Sequence, residues 1–279
     1  MKHYNVICLF ALCAGLIFVD DVFASKSSPE SAETKETLVN PLDYQDIVHG
    51  NTLLHEAARD GNVLKVKSLI AAGAKINIKN KEGKTPMSLA SENKNIEVEA
   101  VLQSNLDLFR YAAPFILNDE CVRGLIAALG AGACVNVKCD NGATPLHCST
   151  RWRKRDGGIT QLLLRAGALV GIQDDDGNTA LHDAAFWGSE AAVRLLLAAG
   201  ALVNIQDKDG YTSLHKAALS GCSAIVRLLL DAKADKKLET KEGKTALDIV
   251  RAREWRRAHI EILLESEQRE RLTIISLLQ

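Results

Sequence analysis

Four histidines occupy matching places in the chain. His55, His147, His182 and His215 each stand three residues after a threonine, in the words TLLHEAA, TPLHCST, TALHDAA and TSLHKAA. A row of imidazoles could be a ladder of metal ligands. Packed helices lie about 8–10 Å apart, however, whereas zinc–nitrogen bonds are about 2 Å long. One histidine per structural unit therefore cannot share an ion, and a structural role is the expectation. His182-Asp183 resembles part of a proton relay. Adjacent helical residues point about 100° apart, and the pattern sets no serine or cysteine nucleophile beside them. Gly130-Ala131-Gly132 reads as a helix ending, because a dinucleotide fingerprint needs a third glycine and a preceding strand. No nucleophile, base and orienter converge, so no enzyme, no cofactor and no metal site are expected.

Two of the seven cysteines fall in the N-terminal apolar stretch. Cys121, Cys134, Cys139, Cys148 and Cys222 remain, odd in number and without zinc spacing. Buried thiols are the default, although an oxidising compartment would allow Cys139 to pair with Cys148 or Cys134.

The elements that position these residues follow from a period. GNTALHDAAFWGSEAAVRLLLAAGALVNIQD from Gly177 returns 33 residues later as GYTSLHKAALSGCSAIVRLLLDAKADKKLE from Gly210, and again from Gly243 as GKTALDIV. Such a period means stacked units, each too small to bury its own apolar face. Within one unit, Gly177 or Gly210 gives a tight turn its freedom, and Thr179 or Thr212 stands where a helix N-cap accepts free amides. A short helix follows, with small Ala184 and Ala185 allowing close approach of the neighbouring unit. A second helix carries the apolar stripe of Val193, Leu195, Leu196 and Leu197.

These words resemble the ankyrin repeat, whose T-P-L-H-x-A signature and period of about 33 residues they match. GAKIN from Gly73, GACVN from Gly132 and GALVN from Gly200 repeat as well. The resemblance implies an all-α solenoid of about seven helix-turn-helix units joined by β-hairpin-like loops, spanning 43–265. The units fall at about 44–79, 80–105, 106–138, 139–173, 174–206, 207–239 and 240–265, with a further helix over 266–279 whose face joins Leu272, Ile275 and Leu278. Gly83 to Gly142 is 59 residues, seven short of two periods, and the loss is placed between Gln103 and Leu106. Unit three then begins directly as helix, and that junction is where a bend and the weakest point are expected.

The resemblance implies a function of binding another protein. Family members make partner contacts from hairpin tips and from the pair of residues after the first helix's alanines. Carried onto this chain, the candidates are Arg151, Trp152, Phe186, Trp187 and Leu219 at the free positions and Asn178 and Tyr211 at the tips. Trp152 and Trp187 are equivalent in adjacent units and should face the same way. Tyr211 should have no neighbour that it must pack against. Large aromatics where the scaffold does not require them are hot-spot material; the plainer alternative is that they pack on one another or on the long loop of unit four.

Composition limits the partners. Lys and Arg total 34, Asp and Glu 35, and removal of residues 1–24 leaves 33 of each. A neutral chain argues against bulk binding to nucleic acid or anionic membrane. RWRKR from Arg151 and RAREWRR from Arg251 are local clusters that solvated helix faces explain. Met1–Ala24 has Lys2, an apolar run of 14 residues from Val6 to Val19, and Val22-Phe23-Ala24 before Ser25. That is a secretory signal, too short for a membrane span of about 20 residues, and membrane attachment follows only if it stays uncleaved. Residues 25–42 form a polar linker. The expected product is a secreted or periplasmic monomer of bacterial type, either engaging host proteins or keeping house in the envelope. N-terminal sequencing of exported protein should begin at Ser25, and an intact Met1 would make the segment an anchor.

Overall fold

The computed structural model describes residues 41–112, 119–151, 157–257 and 265–279. The chain divides into Met1–Pro41 and Leu42–Gln279. The expected signal and nearly all of the linker lie outside the described residues, and the second unit is the repeat array.

Thirteen helices are described: α1 (Leu53–Arg59), α2 (Val63–Ala71), α3 (Pro86–Glu92), α4 (Ile96–Ala112), α5 (Asp119–Gly130), α6 (Pro145–Thr150), α7 (Gly158–Arg165), α8 (Ala180–Trp187), α9 (Glu190–Ala198), α10 (Ser213–Ser220), α11 (Ser223–Asp231), α12 (Ala246–Arg257) and α13 (Glu265–Leu278). Threonine starts the first helix of a unit. Thr52, Thr85, Thr144, Thr179 and Thr212 hold extended backbone angles at the N-cap, and the side chain three residues on returns a hydrogen bond to the threonine amide. This is a capping box closed by histidine or, in unit two, by Ser88 instead of the usual glutamate. First helices stack on first helices, α6 on α8, α8 on α10 and α10 on α12, while α7, α9, α11 and α13 form the second layer. Between the layers Leu146, Leu163, Leu181, Leu196, Leu214 and Ile225 are fully buried, each contributing about 1.5–3 kcal/mol. Ala184, Ala185, Ala217 and Ala218 are buried where first helices meet. The fold is an all-α ankyrin-type solenoid. No strand is named among the described residues, and a single isolated bridge joins Lys75 to Lys138.

The loop tips are hydrogen-bonded in a row. Lys81 donates its amide to the His49 carbonyl (3.0 Å), Asp175 to Asn141 (3.0 Å), Lys208 to Asp176 (2.8 Å) and Lys241 to Asp209 (2.9 Å). Between units two and four the row breaks, at the missing hairpin. At the junction α4 runs unbroken for 17 residues through Gln103–Leu106. The boundary expected between 105 and 106 thus falls inside one helix. QSNLDLF contains no glycine or proline, so removing the loop splices two helices into one. Asn105, buried mid-helix, bonds the Val101 carbonyl (2.7 Å) and accepts the Cys134 amide (2.9 Å). Equivalent amides go to loop asparagines, Leu169 to Asn136 (2.9 Å) and Asp235 to Asn204 (2.9 Å). Asn77 holds the same place in unit one, and its buried Oδ1 has no partner. The loop of unit one closes the gap instead: the Ile76 amide reaches the Lys138 carbonyl (3.1 Å) and Lys75 Nζ pairs with Asp175 (2.5 Å).

The C-terminal helix also differs from expectation. Glu265–Leu278 packs on α11 and α12, the place of a second helix for unit seven. Its buried face runs through Ile274 and Leu278, while Leu272 is 64% exposed. Glu270 accepts the Ser223 amide at the start of α11 (3.1 Å).

Two helix ends are strained. Gly61 and Gly200 take φ of 70° and 83°, but Lys94 and Lys233 hold the equivalent places at 59° and 68°. A left-handed residue with a Cβ costs about 1–2 kcal/mol, partly offset by the roughly 0.5–1 kcal/mol of entropy that glycine loses on folding. Lys94→Gly and Lys233→Gly should each stabilise the fold by about 0.5–1 kcal/mol, and additively because the sites are distant. Urea midpoints of the two single variants and the double variant measure it; no gain would mean that contacts of the lysines offset the strain.

Candidate protein-binding surface

The histidine row is a set of rungs between units. Nδ1 of His55, His147, His182 and His215 accepts the amide of the threonine three residues earlier (3.1, 3.2, 3.1 and 3.0 Å). A ring nitrogen that accepts an amide carries no proton, so Nε2 is the donor. It donates to the next unit's turn: His55 to the Lys84 carbonyl (3.0 Å), His147 to Asn178 (3.1 Å), His182 to Tyr211 (3.1 Å) and His215 to Lys244 (3.2 Å). The Nδ1 bond ties the turn to the first helix within a unit and the Nε2 bond adds a tie to the next, His182 Nε2 also reaching the Ile205 carbonyl of its own unit (3.0 Å). One signal was available in the pattern. Units one, four, five and six have the histidine and are followed by a turn, and Ser88 stands in unit two, where the next turn is missing, although unit three also lacks the histidine and is followed by a turn. Burial depresses all four rings below the ordinary histidine range, His182 to about 4. Among the described residues no cluster of His, Cys, Asp and Glu could hold a metal ion.

All five described cysteines are free. Cys139 and Cys148 are not activated thiols. Burial pushes Cys139 up and Cys148 up to about 11, the reverse of a nucleophile's depressed value. Cys139 takes the turn position filled elsewhere by Asp174 and Asp207, and its Sγ bonds Asn141 (2.7 Å).

The outward faces of α8 and α10 bring several of the candidates together. Phe186 and Trp187 are 46% and 47% exposed, their rings edge to face with centroids 5.5 Å apart. Three residues before Phe186, hence one turn away on the same face, Asp183 pairs with Arg151 Nε from unit four (3.2 Å). Burial raises the Asp183 carboxyl above its ordinary value, and the Arg151 guanidinium pulls against that rise. Leu219, the next residue in the row, is half-buried against the core. Ser220 Oγ donates back to the Ala185 carbonyl (3.0 Å). Trp152 lies outside the described residues, and its pairing with Trp187 with it. Asn178 is engaged in its turn, donating its amide to Asp174 Oδ1 (2.7 Å) and accepting from His147. Tyr211 corrects the expectation of a free tip ring. It is half-buried, edge-on to His215 (5.9 Å), with Lys216 Nζ 4.9 Å from its centroid. The tip turns back toward the next first helix, so an aromatic there has a ring and a cation to pack on.

A family model described as ankyrin repeats (3 copies) matches residues 23–110, 108–207, 154–240 and 201–273. The chain belongs to the ankyrin-repeat family. Ankyrin repeats bind other proteins, and the chain is a protein–protein interaction module of that kind. A stretch of 73 residues is 40% identical to palmitoyltransferase ZDHHC13 of Homo sapiens and of Pongo abelii, covering 24% of this chain and 12% of theirs. The Mus musculus counterpart is 39% identical over 66 residues, 23% of this chain and 11% of that one. The likeness spans about an eighth of those relatives and is a likeness of repeats.

The rungs that stack ankyrin units also set a pH dependence. Above the ordinary histidine value of 6.5, folded and unfolded rings are both neutral and the buried ring's contribution is fully present. As pH falls from 6.5 toward about 4, the unfolded chain binds the proton first and stability is lost. At a pH of about 5, His182 alone should remove about 2 kcal/mol. His182→Gln should be less stable at neutral pH but lose less on acidification, as read from urea midpoints at neutral and acid pH. An unchanged pH slope would take the proton uptake away from this rung.

Proposed function

We propose that the protein is exported and binds another protein through the helical face of units four to six, centred on Phe186 and Trp187. The exposed ring pair carries the reading. Both residues sit at positions the repeat leaves free, on first helices whose Leu181 and Leu214 are buried and whose Leu219 is half-buried against the core. Aromatics that are half exposed, rigidly placed and ringed by polar groups are the usual anchors of an interface. Export rests on Met1–Ala24 and its site before Ser25. An export signal on an ankyrin array suits a bacterial protein that meets host proteins outside the cell of origin, and a monomer is the natural state of such a module.

Changing Phe186 and Trp187 together to Ala should cost at least about 2 kcal/mol of binding by hot-spot magnitudes, while the melting temperature stays within a few degrees. The measurement is affinity for the protein cross-linked to the mature chain where it accumulates. A large drop in melting temperature with affinity retained would make the rings core and remove this face as the site.

A further inference from the structure

We infer that the face carrying Phe186 and Trp187 is built for an acidic, apolar partner segment, one that sets an aromatic or aliphatic side chain on the rings and carboxylates on a cationic rim. This rests on the protein-binding reading above and names the partner's chemistry. Two ion pairs lie at the edges of the patch. Arg151 pairs with Asp183, and the side chains are 35% and 14% exposed. Lys216 pairs with Asp207 (2.6 Å), and they are 18% and 4% exposed. In both, the carboxylate is the more deeply buried member, and of the two cations Arg151 is the more exposed. The chain is neutral as a whole, yet at this patch the positive ends lie outward.

Register places the cations beside the apolar groups. Phe186 and Leu219 hold the same position in units five and six, and Arg151 holds it in unit four. Asp183 and Lys216 lie three residues before Phe186 and Leu219, on the same helical face. A partner crossing the units thus meets a guanidinium, a phenyl ring and a leucine in succession, with Lys216 alongside. Arg151 bonds Asp183 through Nε, and a guanidinium's planar fork suits the paired contact that a carboxylate prefers. Lys216 is held by Asp207 and the Tyr211 ring, so little side-chain freedom remains to be lost on binding. The loop tips are of mixed sign, with Asp176, Lys208 and Asp209 all exposed. In the helical row the cations are the more exposed members of their pairs.

The test selects short random peptides displayed on phage against the full mature chain, without assuming a natural ligand. Enrichment of sequences combining Asp or Glu with Phe, Leu or Trp is the expected result. A selected peptide should lose at least about tenfold in affinity to Phe186→Ala and weaken with added salt. Arg151→Gln combined with Asp183→Asn removes the cation together with its buried anion, leaves the net charge unchanged and spares the fold an unpaired buried carboxylate. It too should cost about tenfold. Enriched peptides that depend on Phe186 but are neutral or basic would overturn the acidic assignment and leave the binding face standing. Peptides indifferent to Phe186→Ala and Trp187→Ala would overturn both.

Discussion

One hydrogen bond repeated along the array holds the units in register: a neutral histidine takes the amide of its own threonine on Nδ1 and gives Nε2–H to a carbonyl in the turn of the next unit. The bond couples neighbours and nothing farther away, which is the nearest-neighbour logic of a solenoid. Because the ring is buried and both nitrogens are used, the charged form is excluded and the tautomer is fixed. The same placement removes it from chemistry. A ring that must accept at one nitrogen and donate at the other has no lone pair left for a metal or a substrate proton.

Where the coupling fails, the reason is local. Unit two has Ser88 in place of histidine, and the turn that would have received its bond is the one missing. The remaining adjustments follow the same gap. Asn105 supplies from the middle of a helix the acceptor that a loop asparagine supplies elsewhere, Lys75 crosses to Asp175, and Asn77 keeps an unpartnered buried oxygen, which costs about 1–3 kcal/mol. A globular core would spread such a lesion. Here the response stays on the loop side, where the tip of unit one reaches across to Asp175 of unit five.

Much of this was legible before the structure. The T-x-L-H words and the G-A-x-V-N phrases carry both the local turn geometry and the period, so the all-α solenoid and its buried stripe followed from them. The splice did not follow. A seven-residue deficit fixes how much chain is lost but leaves open whether the join turns or continues; the lack of a glycine or proline between Gln103 and Phe109 was the clue. The place of α13 depended on a tertiary choice, the open second-layer position beside α11, which no local pattern encodes. At the site, Phe186 and Trp187 were readable because the repeat specifies what should be small or apolar and thereby exposes what is extra. Tyr211 was misread as free because its packing partners, His215 and Lys216, belong to the helix that its own turn leads into, and turn position alone does not tell which way a tip ring folds.

The irregularities and the proposed site sit in different parts of the array, and that division has a physical consequence. Units four to six carry an unbroken set of inter-unit ties: the rungs of His147 and His182, the Arg151–Asp183 pair, the tip bonds of Asp175 and Lys208, and Ser220 to the Ala185 carbonyl. The Phe186 and Trp187 rings project from a surface whose helices cannot easily shift, so ordering them on binding costs little beyond their own rotamers. Aromatic anchors on the spliced region would lack that support, since α4 must serve two units at once and the loop side there hangs on a single ion pair and one amide. Rigidity under the free positions is therefore what makes this stretch of the solenoid, rather than its N-terminal part, the place where exposed rings translate into affinity.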